Sequence, residues 1–151
     1  MSCIIEKLAP KNYEKCNNIW DMSKKPEMAK VWHDELVAGN RVIFVYIENG
    51  EYLGEGSLVF ENGDPDYTIK NQRIYLSRMI VKEECRNRGI GTKILEFMFN
   101  YAKDLGYKEM SLGVDIGNIG ARWLYESNGF TNVIFTGEDE VGKFVKLIKS
   151  L

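Results

Sequence analysis

The chain has 151 residues, of which 44% are hydrophobic and 28% charged, and its formal net charge is −2 at pH 7. A chain of this length fits one domain around one hydrophobic core, so we expect a single domain over residues 1–151. The composition excludes disordered and fibrous proteins, and the charge gives no reason to expect a nucleic-acid partner, which would need a basic face.

Hydrophobic periodicity in the first half of the chain predicts two helices and three strands. Apolar residues at three- and four-residue steps from Lys11 to Met22 indicate an amphipathic helix, and Pro26 and Gly39 bracket a second helix. Asn49-Gly50 is a strong hairpin signal between two runs suited to strands. In chain order the predicted elements are a strand over 2–8, helices over 11–22 and 26–39, and strands over 41–48 and 52–61.

The second half of the chain alternates strands and helices. Its most helical stretch runs from Gly89 to Leu105, where apolar residues form one stripe and Gly106 follows as a stop signal. The predicted elements are strands over 72–82, 107–115, 130–136 and 143–149, and helices over 89–105 and 119–128. The pattern predicts an α/β (α+β) fold with a β-α-β crossover, in which a central mixed, mostly antiparallel sheet of about seven strands is flanked by about four helices.

The N-terminus and the cysteines favour a cytoplasmic protein. Residues 1–11 lack the features of a signal peptide, and no apolar run approaches the ~20 residues of a membrane span. Cys3, Cys16 and Cys85 form no Cys-x-x-Cys pair, and His33 is the single histidine. We therefore expect no metal site, no disulfide framework and no membrane partner.

The segment Arg86–Gly91 (RNRGIG) predicts an anion-binding turn. It follows a strand and opens the long helix, whose N-terminus presents unpaired amides and a positive dipole end. Glycine at 89 and 91 removes Cβ atoms that would hold a pyrophosphate away from the backbone, and two arginines add positive charge. A basic loop without a ligand is the alternative. A Walker loop and a dinucleotide fingerprint both fit poorly, because the required further glycines are missing.

Two motifs together carry a resemblance to a known family. The R-x-x-G-x-G turn followed by Thr92-Lys93-Ile94-Leu95 resembles the acetyl-CoA signature of the GNAT acetyltransferase superfamily. Residues 118–130 resemble the N-x-x-A-x-x-L-Y-x-x-x-G-F motif of the same family. The order and separation of the motifs agree with the family, as does the order of elements over essentially the whole chain. The resemblance implies an acetyl-CoA-dependent N-acetyltransferase.

The resemblance also implies how acetyl-CoA binds. The amides of the turn hold the CoA pyrophosphate, and the preceding strand splays from its neighbour and binds the pantetheine arm through its backbone. Asn118, which alone predicts a helix cap, is implied to contact the cofactor as well. The implied cofactor-binding residues are Met79, Ile80, Val81, Arg86, Asn87, Arg88, Gly89, Ile90, Gly91, Thr92, Asn118 and Tyr125.

Tyr125 has two interpretations. Its spacing places it on a helix face with Ala121 and Leu124, as a core aromatic whose hydroxyl finds a carbonyl. The resemblance implies instead a general acid that protonates or hydrogen-bonds the departing CoA thiolate. We expect direct attack by a primary amine in a ternary complex, and not an acyl-enzyme on Cys85.

The general base is the point at which this chain departs from the family. Many members carry a glutamate on the strand before the turn or on the next one, where this chain has Ser77 or Arg78, and Gly113. Asp115 lies on the same side of its strand as Gly113 and is the candidate base; a solvated aspartate at a strand end is the alternative. The missing glutamates leave open a non-catalytic CoA-binding sensor, and the turn alone leaves open another phosphate-ligand enzyme.

The acceptor is not specified by the sequence. A small-molecule amine is slightly favoured over a protein N-terminus or lysine, because no extra domain is available to dock a protein. By analogy with the family, or else as core aromatics, the residues expected to line the acceptor pocket are Trp20, Met22, Trp32, Tyr67 and Tyr75. The acidic loop over 137–142 attracts a cationic acceptor or is a plain solvated turn. We expect a monomer or a homodimer.

Overall fold

The structure is a computed structural model that describes residues 2–151. The chain forms two compact units. We call residues 2–58 with 78–98 the N-terminal unit, and residues 59–77 with 99–151 the C-terminal unit. None of the helices within residues 2–151 is long and apolar enough to cross a membrane.

Within residues 2–151, seven strands form one mixed sheet in the order β1-β2-β3-β4-β5-β7-β6. The strands are β1 Cys3–Lys7, β2 Arg41–Glu48, β3 Glu51–Val59, β4 Arg73–Val81, β5 Glu109–Asp115, β6 Asn132–Glu138 and β7 Lys143–Ser150. β4 pairs with β5 in parallel, whereas the pairs β1–β2, β5–β7 and β6–β7 are antiparallel. The predicted mixed, mostly antiparallel sheet is therefore confirmed, with β4 at its centre.

In the described residues, three α-helices accompany the sheet: α1 Pro26–Ala38, α2 Ile90–Asp104 and α3 Ile119–Ser127. The α-helix predicted over 11–22 is wrong in type, because this segment is a 3-10 helix over Pro10–Asn18. Tyr13, Cys16 and Ile19 are all buried and lie three residues apart, which is the period of a 3-10 helix. Short 3-10 turns also occupy Met22–Lys24 and Glu83–Cys85.

The hairpin between β2 and β3 turns at the predicted dipeptide. Asn49 and Gly50 have φ values of 51° and 82°, so both adopt the left-handed conformation that a two-residue type I′ turn requires. Asparagine and glycine tolerate this conformation better than other residues. The local sequence therefore sets the register of this hairpin.

Two glycines of β3 allow α2 to lie close to the strand in the N-terminal unit. A Cβ at Gly56 would lie 2.6 Å from Met98 Cε and 2.8 Å from Ile94 Cγ2, and one at Gly54 would lie 3.0 Å from Ile94 Cδ1. The side chains of α2 thus occupy the space that larger residues in β3 would fill. This packing fixes the start of α2, where the anion-binding turn is predicted.

A separate core of the N-terminal unit joins its helices to the sheet. Its fully buried members are Leu8, Tyr13, Cys16, Ile19, Leu36, Ile43, Val45 and Tyr52. Partly buried Trp20, Met22, Ile47 and Ile80 pack against it. Burial of these apolar side chains holds the N-terminal helices on the sheet.

The C-terminal unit has a core of its own, built from β4, β5, β7 and the helices that cover them. Phe130 is fully buried and contacts the rings of Phe99 and Tyr125 at centroid distances of 5.9 and 6.0 Å. Phe130, the last residue of the second motif, is therefore a core residue that follows α3. Other buried members of this core are Ile74, Leu76, Met110, Leu112, Val114 and Leu147.

Candidate active site

The turn before α2 has the backbone geometry of an anion-binding turn. Asn87 and Gly89 have φ values of 66° and 81°, and the second value is strained for any residue with a Cβ. The Gly89 carbonyl accepts a hydrogen bond from the Lys93 amide at 3.1 Å, so it caps the helix. Among residues 2–151, no acceptor is found for the next three amides, those of Ile90, Gly91 and Thr92. These amides form a cluster of donors at the positive end of α2.

The two arginines of the turn already have partners within the N-terminal unit. Arg86 Nε donates to the Val81 carbonyl at 3.1 Å. Arg88 Nη2 donates to both carboxylate oxygens of Glu48, at 2.8 and 2.9 Å. The hydrogen bond and charge of Glu48 raise the pKa of Arg88. Sequence reasoning missed Glu48, because forty positions separate it from Arg88 and no local pattern joins them.

The predicted pantetheine-binding segment, Met79–Val81, is the half-buried end of β4. The ladder between β4 and β5 contains three residue pairs and ends at Tyr75 and Ser111. β4 continues to Val81, so residues 76–81 take no part in this ladder. Their backbone groups on that edge are not engaged by β5.

Arg78 is the centre of a polar cluster in the N-terminal unit. Its Cζ lies 4.5 Å from the ring centroid of Trp20 and 4.6 Å from that of Trp32. Its Nε donates to Glu55 Oε1 at 3.4 Å. Glu55 is only 2% exposed, and burial raises its pKa while Arg78 opposes the shift. The structure thus brings together two predicted acceptor-pocket residues, Trp20 and Trp32, beside a carboxyl that sequence reasoning missed.

Tyr125 lies on the buried face of α3 in the C-terminal unit, with 8% of its surface exposed. Burial, and next the phenol of Tyr75, raise the pKa of Tyr125 to about 12. Among residues 2–151, no hydrogen-bond partner of the Tyr125 hydroxyl is found. The ring therefore packs as a core aromatic, but the hydroxyl does not find the carbonyl that the structural interpretation expected.

Asn118 and Asp115 lie at the start of α3 in the same unit. Asn118 Oδ1 accepts a hydrogen bond from the Ala121 amide at 3.2 Å, which confirms its role as the helix cap. Asp115 is exposed at the end of β5, and its carbonyl accepts from the Asn118 amide at 3.0 Å. Both residues line a cavity of about 470 Å³ together with residues of the loop before β7, Val141, Gly142 and Lys143.

Tyr67 and Tyr75 meet in the C-terminal unit. Their rings stack with centroids 4.2 Å apart and an interplanar angle of 25°. The Tyr67 hydroxyl lies against Gly113, where any Cβ would collide with it. Burial, and next Tyr75, raise the pKa of Tyr67 to about 12.

The remaining sequence candidates have structural partners. His33 packs against Tyr13 with ring centroids 5.1 Å apart, as a packed histidine would. In the acidic loop, Asp139 Oδ1 accepts from the amides of Val141 and Gly142 at 2.9 and 3.1 Å. This aspartate therefore closes its own turn. Among the described residues, no group of three or more histidine, cysteine or carboxylate side chains is arranged to hold a metal ion.

The structure thus distributes the predicted site residues over both units. The N-terminal unit holds the turn, its arginines and Met79–Val81, and the C-terminal unit holds Tyr125, Asn118 and Asp115. The turn presents donors, and the buried tyrosine presents a hydroxyl without a protein partner.

Comparison with known proteins agrees with the motifs. An uncharacterized N-acetyltransferase, YhfO of Bacillus subtilis, is 34% identical over 91 residues, which are 59% of this chain and 58% of that protein. The matched segment thus spans less than two thirds of this relative. The paia N-acetyltransferase of Thermoplasma acidophilum, solved in complex with coenzyme A, has a TM-score of 0.72 at 20% identity, with 100% of both chains covered. YncA of Salmonella typhimurium, a putative acetyltransferase solved with acetyl-CoA, has a TM-score of 0.77 at 16% identity, with 100% of this chain and 95% of that chain covered.

The structural likenesses establish the fold, and the family follows from a match over most of the chain. The family model described as the acetyltransferase (GNAT) family matches residues 7–130. This range includes the turn before α2 and the motif that begins at Asn118 and ends at Phe130. The chain therefore belongs to the GNAT acetyltransferase family.

Proposed function

We propose that this protein transfers the acetyl group of acetyl-CoA to a primary amine by direct attack in a ternary complex. The observation that carries the proposal is the row of unpartnered amides at the start of α2, Ile90, Gly91 and Thr92, in a chain of the GNAT family. Coenzyme A or acetyl-CoA is present in related structures of the same fold. Acetyl-CoA is the cosubstrate that this proposal assigns to the chain.

The residues of the N-terminal unit fit the phosphate and pantetheine parts of acetyl-CoA. Backbone amides at a helix N-terminus bind a pyrophosphate through hydrogen bonds and through the helix dipole. Arg86 and Arg88 supply positive charge at the same turn, and Asn87 and Gly89 give the turn its shape. The backbone of Met79, Ile80 and Val81 is free of the β5 ladder and is proposed to bind the pantetheine amides. Asn118 is proposed as a further contact in addition to its capping role.

The reaction joins the amine nitrogen to the acetyl carbon and breaks the bond between that carbon and sulfur. The neutral amine attacks the thioester carbonyl, the nitrogen loses a proton, and the thiolate gains one, so the products are the amide and the free thiol. Tyr125 is proposed to donate a hydrogen bond to the departing thiolate. With a pKa of about 12, its phenol is protonated at neutral pH. It is a weaker acid than a thiol, whose pKa is about 8.5, so hydrogen bonding is favoured over complete proton transfer.

Asp115 is the proposed base that receives the proton of the amine. Its exposed position at the end of β5 and its place beside the cavity of about 470 Å³ allow a solvent-borne amine to reach it. An amine with a pKa near that of lysine, about 10.4, must lose a proton before attack, which costs roughly 4–5 kcal/mol at pH 7. Replacing Asp115 with Asn should therefore lower kcat/KM most at low pH and least near the pKa of the amine. An unchanged pH profile would remove Asp115 from the mechanism.

The test of the proposed function has two parts. Thermal unfolding is measured with coenzyme A, acetyl-CoA, ATP and NAD, and the first two should raise the midpoint far more than the others, because a ligand stabilises the fold by RT ln(1 + [L]/Kd). Thiol release from acetyl-CoA is then followed with an alkylamine, a polyamine, an amino acid, a dipeptide and a lysine-containing peptide. Release with at least one amine is expected, and the small molecules should be the better acceptors.

The other outcomes identify the competing functions. Stabilisation by coenzyme A without turnover of any amine would indicate a non-catalytic CoA-binding module. A larger rise of the unfolding midpoint with ATP than with coenzyme A would overturn the CoA assignment and indicate a different phosphate-ligand enzyme. A lysine peptide or dipeptide acetylated faster than every small amine would indicate a protein acetyltransferase.

A further inference from the structure

The loop before β4 is fixed at three points on the strands of the C-terminal unit. The Ser111 hydroxyl donates to the Tyr67 carbonyl at 2.6 Å. Lys146 Nζ, on a residue that is 9% exposed, donates to Asp64 Oδ2 at 2.8 Å and to Asp66 Oδ2 at 3.0 Å. Ser111 and Lys146 are buried, whereas Asp64 and Asp66 are partly exposed, so releasing the loop would leave the two strand residues without partners.

The anchored loop also fixes the ring of Tyr67. One face stacks on Tyr75 at 4.2 Å, and Lys146 Nζ lies 4.9 Å from the ring centroid. The hydroxyl then occupies the space above Gly113, where a side chain on β5 would otherwise stand. Glycine at 113 is thus explained by the position of Tyr67.

The hydroxyl at the end of this arrangement makes no hydrogen bond within the described part of the chain, residues 2–151. The Tyr67 hydroxyl is not among the buried side-chain atoms that lack a partner, so it reaches solvent, where water or a ligand can bond to it. Here the backbone of Tyr67 is bonded and its ring is packed on both sides, yet the hydroxyl itself is left for a partner from outside the protein.

Tyr75, the neighbour of Tyr67, connects it with Tyr125, the proposed hydrogen-bond donor to the departing thiolate. Tyr75 is stacked on Tyr67, and its phenol contributes to the raised pKa of both Tyr67 and Tyr125. Two hydroxyls without a protein partner, those of Tyr67 and Tyr125, therefore flank the same tyrosine inside one unit. If the Tyr125 hydroxyl faces the leaving sulfur, the Tyr67 hydroxyl is a candidate contact for the attacking group.

We propose that the Tyr67 hydroxyl binds the nitrogen of the acceptor amine and orients its lone pair for attack. This inference rests on the proposed function. Tyr67 does not act as the base, since a phenol with a pKa of about 12 keeps its proton at neutral pH. Its oxygen accepts an N–H of the amine, and Tyr67 gains and loses no proton in the reaction. Correct orientation of a reacting group is a recognised source of rate enhancement.

The first experiment replaces Tyr67 with Phe, which keeps the ring and its stacking and removes only the hydroxyl. Tyr107→Phe is the matched control, because Tyr107 lies in the same unit, packs on Phe60 at 6.3 Å and has no proposed role in the reaction. The substrate is the amine of the panel that the wild-type protein acetylates fastest. We expect kcat/KM for the amine to fall about tenfold in Tyr67→Phe, as for the loss of one hydrogen bond. The KM for acetyl-CoA and the thermal shift with coenzyme A should not change.

Three outcomes separate this inference from the proposed function. Tyr67→Phe with wild-type kcat/KM for the amine would overturn the role of Tyr67 and leave the proposed function intact. A higher KM for acetyl-CoA or a smaller thermal shift with coenzyme A in Tyr67→Phe would indicate a structural role and would also overturn the inference. A wild-type protein that acetylates no amine would defeat the proposed function, and the role of Tyr67 with it.

The second experiment tests the geometry on which the inference depends. Gly113→Ala should displace the Tyr67 hydroxyl and lower kcat/KM for the amine in the otherwise wild-type chain. In the Tyr67→Phe background the nearest ring atoms lie 3.4 and 3.6 Å from a Cβ at 113, which is ordinary contact. Gly113→Ala should therefore have much less effect on activity and on the thermal midpoint in that background. Equal effects in both backgrounds would contradict the placement of the hydroxyl.

Discussion

Arg88 in the turn before α2 donates through one nitrogen to both carboxylate oxygens of Glu48, at 2.8 and 2.9 Å. Arg88 is 42% exposed and Glu48 11% exposed, so the arginine faces solvent while its partner is mostly covered. The pair gives the turn an oriented guanidinium group. It also places a negative charge close to the site proposed for the CoA pyrophosphate.

The charges of this pair should act on CoA binding in opposite directions. Arg88→Met should weaken coenzyme A binding about tenfold, because a charge-assisted hydrogen bond to phosphate is lost. Glu48→Gln should strengthen binding a few-fold, since it removes a repelling charge near an anionic ligand. Isothermal titration with coenzyme A at low and high salt measures both effects, and added salt should reduce them.

Arg122→Met is the matched control for the Arg88 substitution. Arg122 is also paired with a glutamate, Glu126, at 2.7 Å, but it lies on α3 and has no proposed ligand. Its loss should leave coenzyme A binding close to the wild-type value. If Arg88→Met binds coenzyme A as tightly as Arg122→Met, the assignment of Arg88 to the pyrophosphate site is wrong.

Tyr125→Phe should lower kcat by about 10- to 100-fold, as for the loss of one hydrogen bond to a charged group. The affinity for coenzyme A should change little, because the hydroxyl acts on the leaving sulfur. Since the pKa of Tyr125 is about 12, its ionisation should not produce a fall in kcat below roughly pH 11. Stopped-time thiol assays from pH 6 to 10 test both statements, and wild-type activity in Tyr125→Phe would exclude this role.

Glu55 should make the free energy of unfolding depend on pH. Its folded-state pKa is raised above the reference value of 4.5, so just above that pH the folded chain holds more protons than the unfolded chain. The free energy of unfolding therefore falls as pH rises from the unfolded pKa to the folded one, and then levels off. Glu55→Gln has no such titration, so its stability relative to the wild type should increase across the same window.

Urea unfolding from pH 4 to 8 measures this difference. Exposed Glu96, replaced with Gln, checks for general effects of removing a carboxylate from the chain. A difference between Glu55→Gln and wild type that stays constant or decreases as pH rises would show that burial does not dominate the environment of Glu55.

Gly56→Ala should destabilise the fold by about 1–3 kcal/mol, the usual effect of inserting a methyl group into a packed core. Its Cβ would lie 2.6 Å from Met98 Cε, so Gly56→Ala should cost less in a Met98→Ala background than in the wild type, although Met98→Ala is itself destabilising because Met98 is fully buried. Gly120→Ala is the control, since a Cβ there meets no atom within 4 Å and alanine favours a helix by up to about 1 kcal/mol. Denaturant unfolding of the wild type, Gly56→Ala, Met98→Ala and the double variant gives the coupling free energy between positions 56 and 98. A coupling of zero would contradict this contact.

Local sequence patterns predict much of this fold. Pro26, Gly39 and Asn49-Gly50 act through the conformations of a few neighbouring residues, and they correctly predicted where α1 ends and where β2 and β3 join. The turn before α2 was recognisable for the same reason, because glycine at a positive φ and amides at a helix start are properties of adjacent residues. The type of the first helix was not recognisable from the sequence, since apolar residues at steps of three suit both an amphipathic α-helix and a 3-10 helix. Only the packing of the segment distinguishes the two.

The sequence by itself determined the order of the elements, the glycine turn before α2 and the family, because each depends on short-range conformation or on residues at fixed spacing. Only the tertiary structure decided that Arg88 meets Glu48, that Arg78 contacts two tryptophan rings and donates to a buried Glu55, and that the Tyr67 hydroxyl takes the space over Gly113. These pairs are distant in the chain, and their contacts arise from how strands and loops pack. Such packing leaves no periodic or local signal in the residues that meet.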